Sequence, residues 1–233
     1  MANRTFDYDE VVNRRLRFKD HCNIVICLSI FVLGILSTLY KVKYEGGFFT
    51  CLRELTVDST LFASFTAFAF IILNSIEIVR RTEYTYVPIY YFRLSSAVSE
   101  LIVLLIVLIG FLPFVPDNPI ISRFDMINMH VIIPLLTVLS FIINDPPIGR
   151  LKPKQRLNGL IFLVFYSVII MTCIVTGIIP KARIPYSFMN FYDHTIWYTL
   201  AASVIIYAMG YLLASLLSEL NRKVYWLWLR NIM

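Results

Sequence analysis

Six runs of about twenty predominantly apolar residues fill most of this chain, at 22–42, 56–79, 94–115, 124–143, 158–179 and 195–217. Each is close to the length a helix needs to cross bilayer hydrocarbon at ~1.5 Å per residue. Hydrophobic residues make up 58% and charged residues 15% of the sequence, against the ~25% charge usual in a soluble domain. The mean hydropathy of +0.73 agrees. The connections are short and rich in Pro, Gly, Asn and charge, as loops should be. Pro113, Pro116 and Pro119 end the third run, Pro146, Pro147 and Gly149 the fourth, and Pro180 the fifth. The sequence therefore predicts an all-α fold, a single six-helix transmembrane bundle over residues 1–233.

Orientation follows from where lysine and arginine fall outside the apolar runs, since cytoplasmic loops carry the excess. Fifteen lie on one side: Arg4, Arg14, Arg15, Arg17 and Lys19, then Arg80, Arg81 and Arg93, then Arg150, Lys152, Lys154 and Arg156, then Arg222, Lys223 and Arg230. Six lie on the other: Lys41, Lys43, Arg53, Arg123, Lys181 and Arg183. The bias holds loop by loop, so both termini are expected in the cytoplasm. It also accounts for the net charge of +6 without a nucleic-acid partner. The first 21 residues are polar and charged, unlike a cleaved signal peptide, so the first run is expected to be retained. The tail Tyr225–Arg230 reads as an aromatic anchor at the inner interface.

The four cysteines, Cys22, Cys27, Cys51 and Cys173, have no metal-ligand spacing and read as small apolar fillers. Cys51 and Cys173 share one membrane surface, at which a pair is open to them. Three histidines on separate segments give no ligand set, so no metal or organic cofactor is expected.

Ionisable residues inside apolar runs are functional-site candidates by default. Glu77 lies near the inner boundary, one turn from Arg80, and Asp125 lies at the outer rim. Glu100 sits about four residues into the third run, where it either pairs with a loop arginine or has a role of its own. His130 lies about six residues, roughly 9 Å, below the outer end of the fourth run. It reads either as a helix-bridging neutral histidine or as a base near physiological pH. On the second run, Thr56, Ser59 and Thr60 share one helical face, continued by the small residues Ala63 and Ala67. That face reads either as a packing seam or as the source of a hydroxyl nucleophile. Topology puts Thr56 and His130 at similar depth beneath the same surface. A threonine nucleophile needs a base within hydrogen-bond reach and a group to orient that base. Asp58, Asp125 or Asn128 could orient the imidazole, and the spacing does not choose among them. His194 is a second base candidate on the same side, whereas His21 lies near the inner boundary.

The stretch Leu55-Thr56-Val57-Asp58-Ser59-Thr60-Leu61 resembles the start of the second helix in a family of small bacterial six-helix membrane proteins. His130-x-x-x-Pro134, the Gly149-Arg150-Leu151 loop and Pro185-Tyr186-Ser187-Phe188 resemble further motifs of that family, in order, over about residues 20–225. Thr60 stands where the family usually has Asn, and Leu55 where it usually has an aromatic residue. Animal relatives, the androgen-induced and androgen-dependent membrane proteins, are threonine hydrolases of fatty acid esters of hydroxy fatty acids. The resemblance implies a bacterial plasma-membrane location, Thr56 as nucleophile and His130 as base. Asp58, Ser59 and Asn128 are the supporting candidates. An acyl ester would enter from the outer leaflet, beneath a loop (180–194) in which Tyr186 and Phe188 are cap candidates. A small transporter or channel, and a non-catalytic membrane scaffold, are the competing expectations. The oligomeric state stays open.

Overall fold

The computed structural model describes residues 8–45, 47–80, 87–111 and 123–230. Among them there is no strand. Helix α1 runs Tyr8–Glu45, α2 is the single turn Phe48–Cys51, and α3 runs Leu55–Arg80. Helix α4 (Val87–Leu105) continues as a π turn over Ile106–Phe111. The next span is composite: α5 (Phe124–Ile127), a π turn (Asn128–Ile132) and α6 (Ile133–Asn144). Helices α7 (Pro153–Arg156) and α8 (Ile161–Val175) are joined by a 3₁₀ turn, Leu157–Leu160, and α9 runs Ile196–Arg230. Six of these segments are long and apolar enough to cross a membrane, beginning at His21, Leu55, Val87, Phe124, Pro153 and Ile196. That count agrees with the sequence and points to an integral membrane protein.

Helix α4 forms the centre of the bundle: every residue from Arg93 to Glu100 is buried. Helices α1, α3 and α6 pack beside it through small residues. Ala63 and Ala67 of α3 are fully buried against Cys27 and Ile30 of α1 and Ile133 of α6. Gly34 of α1 meets the Ser64 side chain of α3 so closely that a methyl there would clash. Close backbone approach of this kind is how helices associate where lipid removes most of the hydrophobic driving force. The opposite surfaces carry exposed apolar side chains in rows, such as Val25, Leu28, Val32 and Leu36 on α1, and Phe165, Val168 and Ile169 on α8. Rows of that kind suit contact with acyl chains.

The third span begins at Val87, seven residues before the boundary read from the sequence. The cause is Arg93, which the charge count treated as a loop residue. It is fully buried, its Nε donating to Asp145 Oδ2 at 2.9 Å and its Nη2 to Ser140 Oγ at 2.7 Å. A paired arginine is tolerated inside a helix bundle, so the helix extends past it. Ser140 donates to Asn23 Oδ1 at 3.1 Å, and Asn221 Nδ2 donates to the Asp145 carbonyl at 2.7 Å, so α1, α4, α6 and α9 meet in one knot. Lys41 was likewise read as a loop cation. It lies buried in α1, bridging Glu54 at 2.7 Å and Glu45 at 3.1 Å.

The fifth span ends at Val175, before Pro180. Gly177 adopts φ +77° and lets the Ile179 amide bond back to the Cys173 carbonyl at 2.9 Å. Tyr225–Arg230 continues α9 without a break, so it is no separate tail element. All four cysteines are free, Cys51 and Cys173 included. Pro113, Pro116, Pro119, Arg4 and Arg81 lie outside the described residues.

Candidate active site

The first amides of a helix lack intrahelical acceptors and must find them elsewhere. At the start of α3 a side chain from a distant loop supplies one: the Leu55 amide donates to the Tyr186 hydroxyl at 3.0 Å. Beside it, the Tyr166 hydroxyl of α8 donates to the Arg53 carbonyl at 2.8 Å. Arg53 in turn donates from Nη1 to the Arg183 carbonyl at 3.0 Å. The 180–194 loop is thus tied to the turn that launches α3. Burial pushes the Tyr186 phenol up to about 12, so it is a neutral hydroxyl in the physiological range. Burial also pushes the Cys51 thiol up to about 11, which suits a packing residue rather than a reactive thiol.

Below this lashing lies a cavity of about 240 Å³. Its wall includes Thr56 from α3, His130 from the π turn before α6, and Val103, Ile106 and Val107 from the end of α4. Arg53, Glu54, Arg183 and Tyr186 close it from the loop side. The two residues singled out by depth alone therefore border one space, although they belong to different helices.

The placement of His130 has a local cause. Pro134 lacks an amide hydrogen and its ring crowds the carbonyl four residues back, which is that of His130. The helix widens there into a π turn, closed by the Ile133 amide on the Asn128 carbonyl. Such turns recur at functional sites. Within it, His130 Nδ1 lies 2.8 Å from the Met126 carbonyl oxygen. A carbonyl only accepts, so Nδ1 carries the hydrogen and Nε2 keeps its lone pair. That is the tautomer a general base requires. A second π turn, starting at Ile106, shapes the facing wall.

The expected supporting residues take other positions. Asn128 donates to the Phe124 carbonyl at 2.8 Å, and Asp125 is held by Arg123 at 2.7 Å, so neither orients the imidazole through a hydrogen bond. The Met126 carbonyl does so instead. Asp58 lies off the cavity wall. Ser59 is fully buried one turn below Thr56 and donates to the Thr56 carbonyl at 3.1 Å. Of the cap candidates, Tyr186 lines the cavity, while Phe188 stacks on the Tyr186 ring at 5.5 Å without reaching the wall. His194 is exposed against Tyr198 and is not part of the wall. Glu100 is fully buried and pairs with no arginine among the described residues; Arg93 is taken by Asp145. Glu77 is helical, and nothing further is described of its side chain.

Glu54 is the wall residue the sequence reading passed over. Its adjacency to Leu55-Thr56 was visible, but its partner Lys41 was hidden in the preceding span. Compared with family models, with curated proteins and with solved structures, the chain matches none.

Proposed function

We propose that this protein is an intramembrane hydrolase of lipid acyl esters, with Thr56 as nucleophile and His130 as base. One observation carries the reading: a threonine and a base-competent histidine, from separate helices, wall a single cavity at one end of the bundle. The motif resemblance around Thr56, His130 and Tyr186 points the same way and suggests fatty acid esters of hydroxy fatty acids as substrates. In the reaction, Nε2 of His130 takes the Thr56 hydroxyl proton as Oγ attacks the ester carbonyl. The C–O bond to the alcohol breaks, and the alcohol leaves with that proton. Water, deprotonated by the same imidazole, then cleaves the acyl-threonine and releases the fatty acid. Val103, Ile106 and Val107 give the acyl chain an apolar wall.

The motif resemblance supports a bacterial plasma membrane, and the loop charge bias supports cytoplasmic termini and a cavity opening towards the outer leaflet. Arg93 and Lys41, both buried, drop from opposite sides of that count and leave its sign unchanged.

The test is fluorophosphonate labelling of the purified protein, with the adduct mapped by mass spectrometry. The expected result is an adduct on Thr56 that disappears in His130→Ala. Absence of labelling, together with undiminished lipid-ester turnover in Thr56→Ala, overturns the assignment.

A second reading, a small transporter or channel, is favoured by the buried ionisable residues of α4, Arg93 and Glu100. Solute flux into proteoliposomes that survives in Thr56→Ala would select it.

A further inference from the structure

Glu100 lies on the face of α4 that forms the cavity wall. Val103 and Val107, three and seven residues further along, line the cavity, which places the glutamate about one turn beneath its floor. The residue is fully buried, and neither carboxylate oxygen has a hydrogen-bond partner among the described residues. An ionised carboxylate without a partner is among the costliest groups to bury, and more so between membrane helices.

Among the described residues, no positive charge is free to pair with it. On its own helix, Arg93 is two turns away and committed to Asp145. From α1, Lys41 is committed to Glu54 and Glu45. From α3, Asp58 is itself acidic. From the α5–α6 span, Asp125 is paired with Arg123, and His130 is bonded to the Met126 carbonyl.

With no hydrogen-bond donor reaching either oxygen among the described residues, the carboxyl costs least to bury as the neutral acid. We infer that Glu100 is a proton-binding site, a carboxyl carried as the neutral acid whose hydrogen exchanges through the cavity above. Release of that proton leaves an uncompensated charge between α3 and α4, directly under Thr56. Occupancy of the cavity and protonation of Glu100 are therefore coupled. This holds whatever chemistry the cavity performs, so its failure leaves the hydrolase reading intact.

The experiment is infrared difference spectroscopy on the full chain in lipid nanodiscs, wild type minus Glu100→Gln, which keeps the side chain's shape and neutrality. The expected result at neutral pH is a carboxylic-acid C=O band absent from Glu100→Gln, shifting to lower frequency in D2O as the proton exchanges. A carboxylate signature at neutral pH overturns the proposal. So does a C=O band insensitive to D2O. Conversion of the acid band to carboxylate on adding sodium at constant pH also overturns it, since the ligand would then be a metal cation.

Discussion

The buried polar groups of this bundle fall into two regions of opposite character. Around Arg93 almost every group is committed: guanidinium to Asp145 and Ser140, Ser140 to Asn23, Asn221 to the carbonyls of Phe141 and Asp145. Around the cavity, Thr56 and His130 border open volume, and Glu100 beneath them has no hydrogen-bond partner among the described residues. The knot ties four helices, α1, α4, α6 and α9, through buried groups. The cavity region leaves space and reactive groups uncommitted, at a cost in stability that only function would preserve. Side-chain truncation should therefore have opposite consequences in the two regions.

The largest effect is expected at the cavity. Thr56→Ala should lower ester turnover by ~10³-fold or more, as loss of a nucleophile does, while thermal unfolding in detergent changes by less than ~1 kcal/mol. A variant that loses stability and activity in parallel would erase the distinction between the two regions. The second largest belongs to the knot. Asp145→Ala strands a fully buried guanidinium and should destabilise the fold by about 3–5 kcal/mol. Any ester turnover by the surviving folded fraction should keep its KM. An unfolding transition unchanged from wild type would mean that water reaches Arg93 and that the knot is not dry.

The two regions were not equally legible in the sequence. Six spans, and the shared end of the bundle for Thr56 and His130, follow from apolar run length and alternation alone, because those are properties of single helices. The knot was misread: Arg93 is a loop cation by composition, and only its pairing with Asp145, 52 residues away, makes it a core residue. Lys41 was misassigned for the same reason. The orienting partner of His130 was sought among side chains, Asp58, Asp125 and Asn128. It proved to be a backbone carbonyl, that of Met126, reached by the imidazole from within a π turn. Pro134 four residues after His130 was the signal for that turn, since it forbids an ordinary helix at that point. Glu100 shows the limit from the other side. Its depth was readable, but that no partner reaches it is a fact of three-dimensional packing.

The cavity region can be loosened in smaller steps through its loop. Tyr186→Phe removes the acceptor of the Leu55 amide, a bond that holds the first turn of α3 to the loop. A loss of about 1 kcal/mol is expected. The kinetic effect should fall on KM more than on kcat, because the ring still covers the cavity while its position relaxes. A fall in kcat with KM unchanged would instead give the phenol a direct part in the chemistry.

The smallest effect concerns the base of the same loop, where Lys181 lies 2.5 Å from Asp193 and Asn190 Nδ2 donates to Asp193 at 2.6 Å. The hydrogen bond from Lys181 holds the Asp193 carboxyl below its usual value of about 3.9. The sign follows from that direction. A depressed folded value means the tether contributes fully above the unfolded value and is lost as pH falls through the lower, folded one. Between neutral pH and about 5 the loop should therefore be insensitive to pH. Further acidification should lower amide protection in 180–194, read as exchange relative to the intrinsic rate at each pH, until the wild type matches Asp193→Asn, whose own protection profile stays free of that transition. Both partners are about half exposed, so added salt should narrow the difference at neutral pH. The knot around Arg93, sealed from solvent, should show neither response. If acid or salt loosened α4 and α6 together with the loop, the two regions would be one cooperative unit.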